Sequence, residues 1–307
     1  MNYFLKEYGE LKGITIAEKY SSGEMESFKV DELNKIIINN VIYIPSYSLN
    51  DERKKDYPSI KLYKSGKIKS LDLEEKTSIS VLGREYNVEK VVFYESGELK
   101  RLFPLNGKIS GYWSEDDEYN LAEEYNFDFK FAKFKAKVIS IEFFKSGIIK
   151  SITLWPNDKI QLKYNDQLIN VHTGFSVYEN GKLETCEPVI PTSILTPIGS
   201  IEAYDPNSIG IHGENNSLKF NNDGTVKALT TSTNIIKIID RKGKKYIYSP
   251  KEVLLYTNSI NNDIIPVSLE FYGNILIVDG KDKFNIDENK FIIEYFGEKK
   301  LTLTGDL

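Results

Sequence analysis

Nucleophiles, proton carriers and soft metal ligands are scarce in this chain: one cysteine, Cys186, and two histidines, His172 and His212. A lone thiol forms no intrachain disulfide, and histidines this far apart in sequence with one cysteine do not make a structural zinc set. The densest polar cluster runs Asp205-Pro-Asn207-Ser-Ile-Gly-Ile-His212-Gly-Glu214-Asn-Asn216. A histidine with two carboxylates nearby is able to ligate a metal or carry a proton. Asp-Pro-Asn and Gly-Glu-Asn-Asn are also what turns are made of, and a turn is the favoured reading. Glu115, Asp116, Asp117 and Glu118, with Glu123 and Glu124, lack the alternating Asp rhythm and glycine of a calcium loop and read as a solvated loop. Dinucleotide and phosphate glycine loops, His-Glu-x-x-His and Gly-x-Ser-x-Gly do not occur. The expectation is a non-enzyme that takes no cofactor and no metal. Glycan cleavage by paired carboxylates is the one reaction class left open, because such pairs carry no sequence signature among 45 acidic residues.

A column of aromatic residues is the more specific feature: Tyr20, Tyr63, Tyr94, Phe144 and Tyr178 each stand three residues before a glycine (Gly23, Gly66, Gly97, Gly147, Gly181). Repeated along one face, such rings could receive a partner protein or a glycan, or pack as a second structural layer. Packing is favoured, because large aromatics dominate cores before they serve sites.

The elements that must carry this column follow from the same frame. Apolar residues recur six before the glycine (Ala17, Ile60, Val91, Ile141, Phe175), usually four before it (Leu62, Phe93, Phe143, Val177), two after it (Met25, Ile68, Leu99, Ile149, Leu183) and five after it (Phe28, Leu71, Leu102, Ile152, Cys186). Leu218, Phe220, Gly224, Val226 and Leu229 fit too, and Tyr3, Leu5, Gly9, Leu11 and Ile14 more loosely. Alternation on both sides of Ser-Gly, Asn-Gly or Asp-Gly predicts β-hairpins. With a type I turn closed by a left-handed glycine, the residues at minus four and plus two face each other. The frame then places plus five on the aromatic side, where Cys186 becomes a buried, inert thiol. Second, looser hairpins follow at 77–83, 192–199 and 232–243, so the unit is about two hairpins. The expected fold is all-β, an elongated array of consecutive antiparallel hairpin repeats over 1–250, with a β cap over 251–307 that continues it. Residues 114–125 alone suggest helix, one or two turns behind a Ser114 cap. Trp113 and Trp155, each following a hairpin, read as packing residues.

With 307 residues, 40% hydrophobic and 28% charged, the composition is that of a folded protein. A net charge of −5 lacks the cationic excess that phosphate binding needs, which argues against nucleic acid as a partner. No stretch approaches the ~18 apolar residues of a membrane span, and the charged first residues do not resemble a signal peptide. A cytoplasmic location is expected, and the excess of lysine over arginine, with abundant Ile, Asn and Tyr, fits a bacterial genome of low GC content.

Phe93-Tyr-Glu-Ser-Gly-Glu-Leu-Lys100 followed by Pro104-Leu-Asn-Gly107-Lys-Ile-Ser-Gly111-Tyr-Trp113 resembles the MORN-type repeat, in the variant of bacterial antitoxin-like proteins. The match is tight over 93–113; other copies keep the first half and lose the second. The resemblance implies a sheet of consecutive hairpins that binds partners, and it brings no catalytic residues. The function expected is a repeat scaffold binding a protein partner, antitoxin- or immunity-like, with a glycan-binding or polysaccharide-active protein as the alternative.

Overall fold

The computed structural model describes residues 1–48, 53–208, 216–253 and 263–297. Of these, 57% lie in strands and 4% in helix, so the chain is all-β and built from antiparallel hairpins, as the glycine frame predicts. It divides into two compact units, Met1–Asn126 with Lys135–Trp155, and Phe127–Phe134 with Pro156–Leu307.

In each of the six glycine hairpins the residue at minus three opens the turn. Its carbonyl accepts from the glycine N–H at 2.8–2.9 Å, and its N–H donates to the carbonyl after the glycine. The glycines have φ between +80° and +104°, where a Cβ is strained. Minus four pairs with plus two throughout, as in Leu62 with Ile68, Phe93 with Leu99 and Phe220 with Val226. The copy at Gly9 is not one of these: Leu5 pairs with Gly9 itself.

One feature of every hairpin corrects the expected facing. The residue at plus three (Glu26, Lys69, Lys100, Lys150, Glu184, Lys227) is skipped by the ladder as a β-bulge. An extra residue reverses the alternation, so plus five lies on the same face as plus two, not beside the aromatic. Plus five therefore pairs with minus six: Ala17 with Phe28, Ile60 with Leu71, Val91 with Leu102, Ile141 with Ile152, Phe175 with Cys186 and Leu218 with Leu229. Between hairpins the row continues through Phe28 with Ile60, Leu71 with Val91 and Leu102 with Ile141 in the first unit, and Cys186 with Leu218 in the second. Apart from Ala17 these residues are buried, each side chain of Leu or Phe size contributing about 1.5–3 kcal/mol. The plus-four residues on the other face, Ser27, Ser70, Arg101, Ser151 and Thr185, are buried as well, Arg101 in an ion pair with Glu142. The layer beneath the aromatic column is thus polar, where an apolar one was expected.

Second hairpins occur at Ile36–Ile38 with Val41–Tyr43, at the far ends of Ile68–Val81 and Arg84–Phe93, and at Ile160–Tyr164 with Gln167–Val177. Two more are Thr192–Thr196 with Gly199–Ala203 and Asn234–Ile239 with Lys245–Tyr248. Three of them place a tyrosine on the minus-four residue of the glycine hairpin two ahead in sequence: Tyr43 on Phe93, Tyr86 on Phe143 and Tyr164 on Phe220, with ring centroids 5.7, 6.0 and 4.3 Å apart. The Gly9 hairpin behaves as one of this kind, since its Tyr8 hydroxyl accepts from Ile68 N just beyond Gly66.

The strand Ile14–Lys19 has Ala17 and Lys19 where the other hairpins are apolar, and only Met25–Val30 joins it in a ladder among the described residues. A polar first strand discourages edge pairing. Toward the C-terminus, Val226–Thr231 pairs with Val267–Tyr272, which pairs with Ile275–Val278, without the glycine frame. No helix among the described residues is long and apolar enough to cross a membrane.

Candidate functional site

The rings of Tyr20, Tyr63, Tyr94, Phe144 and Tyr178 are all half-buried. Four hydroxyls tie one hairpin to the next. Tyr20 donates to Leu62 O, Tyr63 to Phe93 O, Tyr94 to Phe143 O and Tyr178 to Phe220 O, at 2.7–2.8 Å. Each acceptor directly precedes the next turn's opening residue, so the column works as a set of regular struts. Phe144 has no hydroxyl and cannot make this bond. Lysine ammoniums lie over the rings as well: Lys64 over Tyr20, Lys69 over Tyr63, and Lys100 with Lys145 over Tyr94, 5.5–5.9 Å from the centroids. Burial raises the pKa of all four phenols. Tyr20, Tyr63 and Tyr94, whose hydroxyls are engaged and whose faces carry ammoniums, offer little stacking surface to a sugar.

The segment 104–118 builds a charged cluster that sequence reasoning missed. The helix Glu115–Leu121 forms where expected, with Ser114 and Asp117 as a reciprocal capping box. Glu118, read from sequence as part of a solvated run, is buried. Its carboxylate accepts from Arg53 Nε and Nη2 (both 2.9 Å), Gly107 N (2.8 Å) and Trp113 Nε1 (2.7 Å). Arg53 also grips Glu89, at 3.0 and 3.2 Å, and Glu89 accepts from Asn106 N at 2.9 Å. The guanidinium hydrogen bonds hold the Glu118 pKa below the usual range although burial alone would raise it. Gly107 is required here, because a Cβ would stand 2.4 Å from both Glu118 oxygens. Beside the cluster, Lys90 pairs with Asp72 at 3.0 Å and Lys54 with Glu74 at 2.6 Å, around a polar cavity of about 90 Å³, room for a few waters. Arg53 bridges two carboxylates in the manner of a structural clasp, while the neighbouring Lys55 donates its ammonium to Asn106 Oδ1 at 3.0 Å.

Of the other residues singled out from sequence, Cys186 is fully buried and burial pushes its thiol pKa up, away from a thiolate. His172 is half-buried, and burial, with Lys159, lowers its pKa. Asp205 Oδ1 accepts from Asn207 N at 2.9 Å, the turn its sequence suggests, while His212 and Glu214 lie outside the described residues. Glu187 is a fully buried carboxylate whose pKa burial raises; it accepts from Ser217 N and Oγ. Trp155 packs with Leu105 and Ala122, its ring 5.8 Å from that of Tyr119.

Several large aliphatic side chains of the second hairpins are turned to solvent. Ile37 and Ile42, directly opposite each other, Leu168, Leu195 and Ile247 lie on the outward sides of second hairpins, and Leu82 at the tip of another. Their exposures run from 53% for Ile42 to 79% for Leu195. Comparison of the chain with protein-family models, with curated proteins and with solved structures finds no match in any of the three.

Proposed function

We propose that this chain is a non-enzymatic repeat scaffold that binds a protein partner through the outward sides of its second hairpins. The observation that carries this reading is the recurrence of a large, exposed aliphatic side chain on the outward sides of four second hairpins, at Ile37 with Ile42, Leu168, Leu195 and Ile247. Single exposed aliphatics are ordinary; their recurrence on the outward sides of several hairpins is a pattern that folding alone does not call for. Buried residues of those hairpins, such as Ile36, Leu162 and Ile194, already hold them in place. In the same direction, the thiol is buried, Glu118 and Glu89 are both held by Arg53, and the tyrosine hydroxyls are engaged as struts. An antitoxin- or immunity-like role is the form of this reading that the MORN-type likeness at 93–113 suggests.

The experiment is affinity capture from the source organism with mass spectrometry, using the wild type, Ile37→Asp with Ile42→Asp, and Leu195→Asp. These sites are exposed, so the variants fold, and the reading expects one protein recovered with the wild type and lost with at least one variant. Reducing-end release from a polysaccharide panel, abolished by a single Asp→Asn or Glu→Gln change, would replace it with the glycan-active alternative.

A further inference from the structure

In the second unit, a groove of about 300 Å³ opens where the hairpin Ile160–Tyr164 with Gln167–Val177 meets the Gly181 and Gly224 turns. Its floor is aromatic, formed by Phe131, Tyr164 and Phe220, and Lys130, Lys163 and Lys182 stand around it. No aspartate or glutamate is among the lining residues, and none of the three lysines has a carboxylate within ion-pair distance among the described residues. Lys182 Nζ donates to Asn222 O at 2.9 Å, and Asp223 in the same turn is held by Thr225 N and Oγ1 at 2.9 and 2.7 Å.

The floor is already set. Tyr164 donates to Gly224 O at 3.1 Å with its ring 4.3 Å from Phe220, Phe131 stands edge-on to buried Phe175 at 5.6 Å, and Lys163 N donates to Phe131 O at 2.9 Å. The corresponding joints of the first unit are filled by the tips of their second hairpins. Asn39 donates its amide to Gly97 O at 3.1 Å, and Leu82 Cγ stands 3.4 Å from where a Cβ on Gly147 would be. The open joint belongs to the hairpin whose tip is the short, polar Asn165-Asp166.

We propose that this groove binds a small organic carboxylate with an aromatic or branched aliphatic body. An apolar floor rewards burial of the body, and three ammoniums with no competing acid favour one anionic head over a neutral one. The volume is that of the smaller ligand sites, and a floor fixed beforehand spares the cost of ordering it on binding. This site is independent of the protein-partner reading and uses none of the residues assigned there.

The test is calorimetry and ligand-observed NMR with 4-phenylbutyrate and its neutral amide, on the full chain and on Lys130→Gln with Lys163→Gln. The carboxylate is expected to bind at least about tenfold more tightly than the amide, and the preference to vanish in the variant. Both lysines are exposed, so an unchanged melting temperature confirms that only the charge was altered. The proposal is overturned if neither compound binds, if the amide binds as well as the carboxylate, or if the variant keeps the preference.

Discussion

Replacing Gly107 by alanine isolates the clasp around Arg53. The new methyl would sit 2.4 Å from both oxygens of Glu118, well inside van der Waals contact, so the carboxylate must swing away. Doing so breaks its bonds to Gly107 N and Trp113 Nε1 and disturbs the Arg53 pair, while Arg53 keeps Glu89. Hydrogen bonds to a charged group contribute about 1.5–3 kcal/mol each, and partial relaxation leaves an expected loss of about 2–4 kcal/mol. With Glu118→Ala there is no carboxylate to meet, and the same glycine change should cost about 0.5 kcal/mol or less. Gly111→Ala is the control, since nothing lies within 4 Å of a Cβ there. Urea unfolding followed by tryptophan fluorescence reads this directly, because Trp113 and Trp155 are the only tryptophans and both lie in the first unit. An equal cost of Gly107→Ala in both backgrounds would refute the clasp.

Three further outcomes follow from the same geometry. Tyr63→Phe removes one strut and keeps the ring, so it should lose about 0.5–1.5 kcal/mol in denaturant unfolding, with Tyr63→Ala losing clearly more; no loss in Tyr63→Phe would mean that the hydroxyl bond to Phe93 O carries nothing. Gly97→Val should cost about 1–3 kcal/mol through strain at φ +101°, where a Cβ has open space, while Glu98→Gln stays within about 0.5 kcal/mol. Burial alone would raise the pKa of Glu74, but hydrogen bonds from Lys54, Ser48 and the Tyr47 and Ser48 amides hold it down to about 2. Its contribution is therefore full above the ordinary 4.5 and lost as pH falls from there toward about 2, so melting temperatures of wild type and Glu74→Gln should converge over that window.

The turn register was legible in the sequence because a glycine at positive φ and a fixed aromatic three residues earlier leave few hairpin geometries. The bulge left a trace as well: Ile68 and Leu71, both fully buried, are three residues apart, a spacing that plain alternation does not allow on one face. What the sequence concealed is long-range. Arg53 lies 36 residues from Glu89 and 65 from Glu118, and nothing local distinguishes Glu118 from its exposed acidic neighbours. The reach of Tyr43 to Phe93 and of Tyr86 to Phe143 likewise depends on hairpin lengths that vary from repeat to repeat. For the candidate site, the aromatic column was visible but its hydroxyl bonds were not, since their acceptors are main-chain carbonyls. Those bonds also make Tyr63→Ala with Tyr94→Ala a stability perturbation, so the exposed aliphatics are the cleaner probes of binding.

In the proposed function, a protein partner sits on the outward sides of the second hairpins. Site-specific photo-cross-linking in cells tests it most directly, with the photoreactive residue placed in turn at Ile42, Leu195 and Ile247, and at exposed Lys145 and Glu179 in the glycine turns as controls. One common cross-linked protein is expected from the hairpin positions and none from the turns. Cross-links of equal yield from the controls, or no protein adduct at any hairpin position, would contradict it.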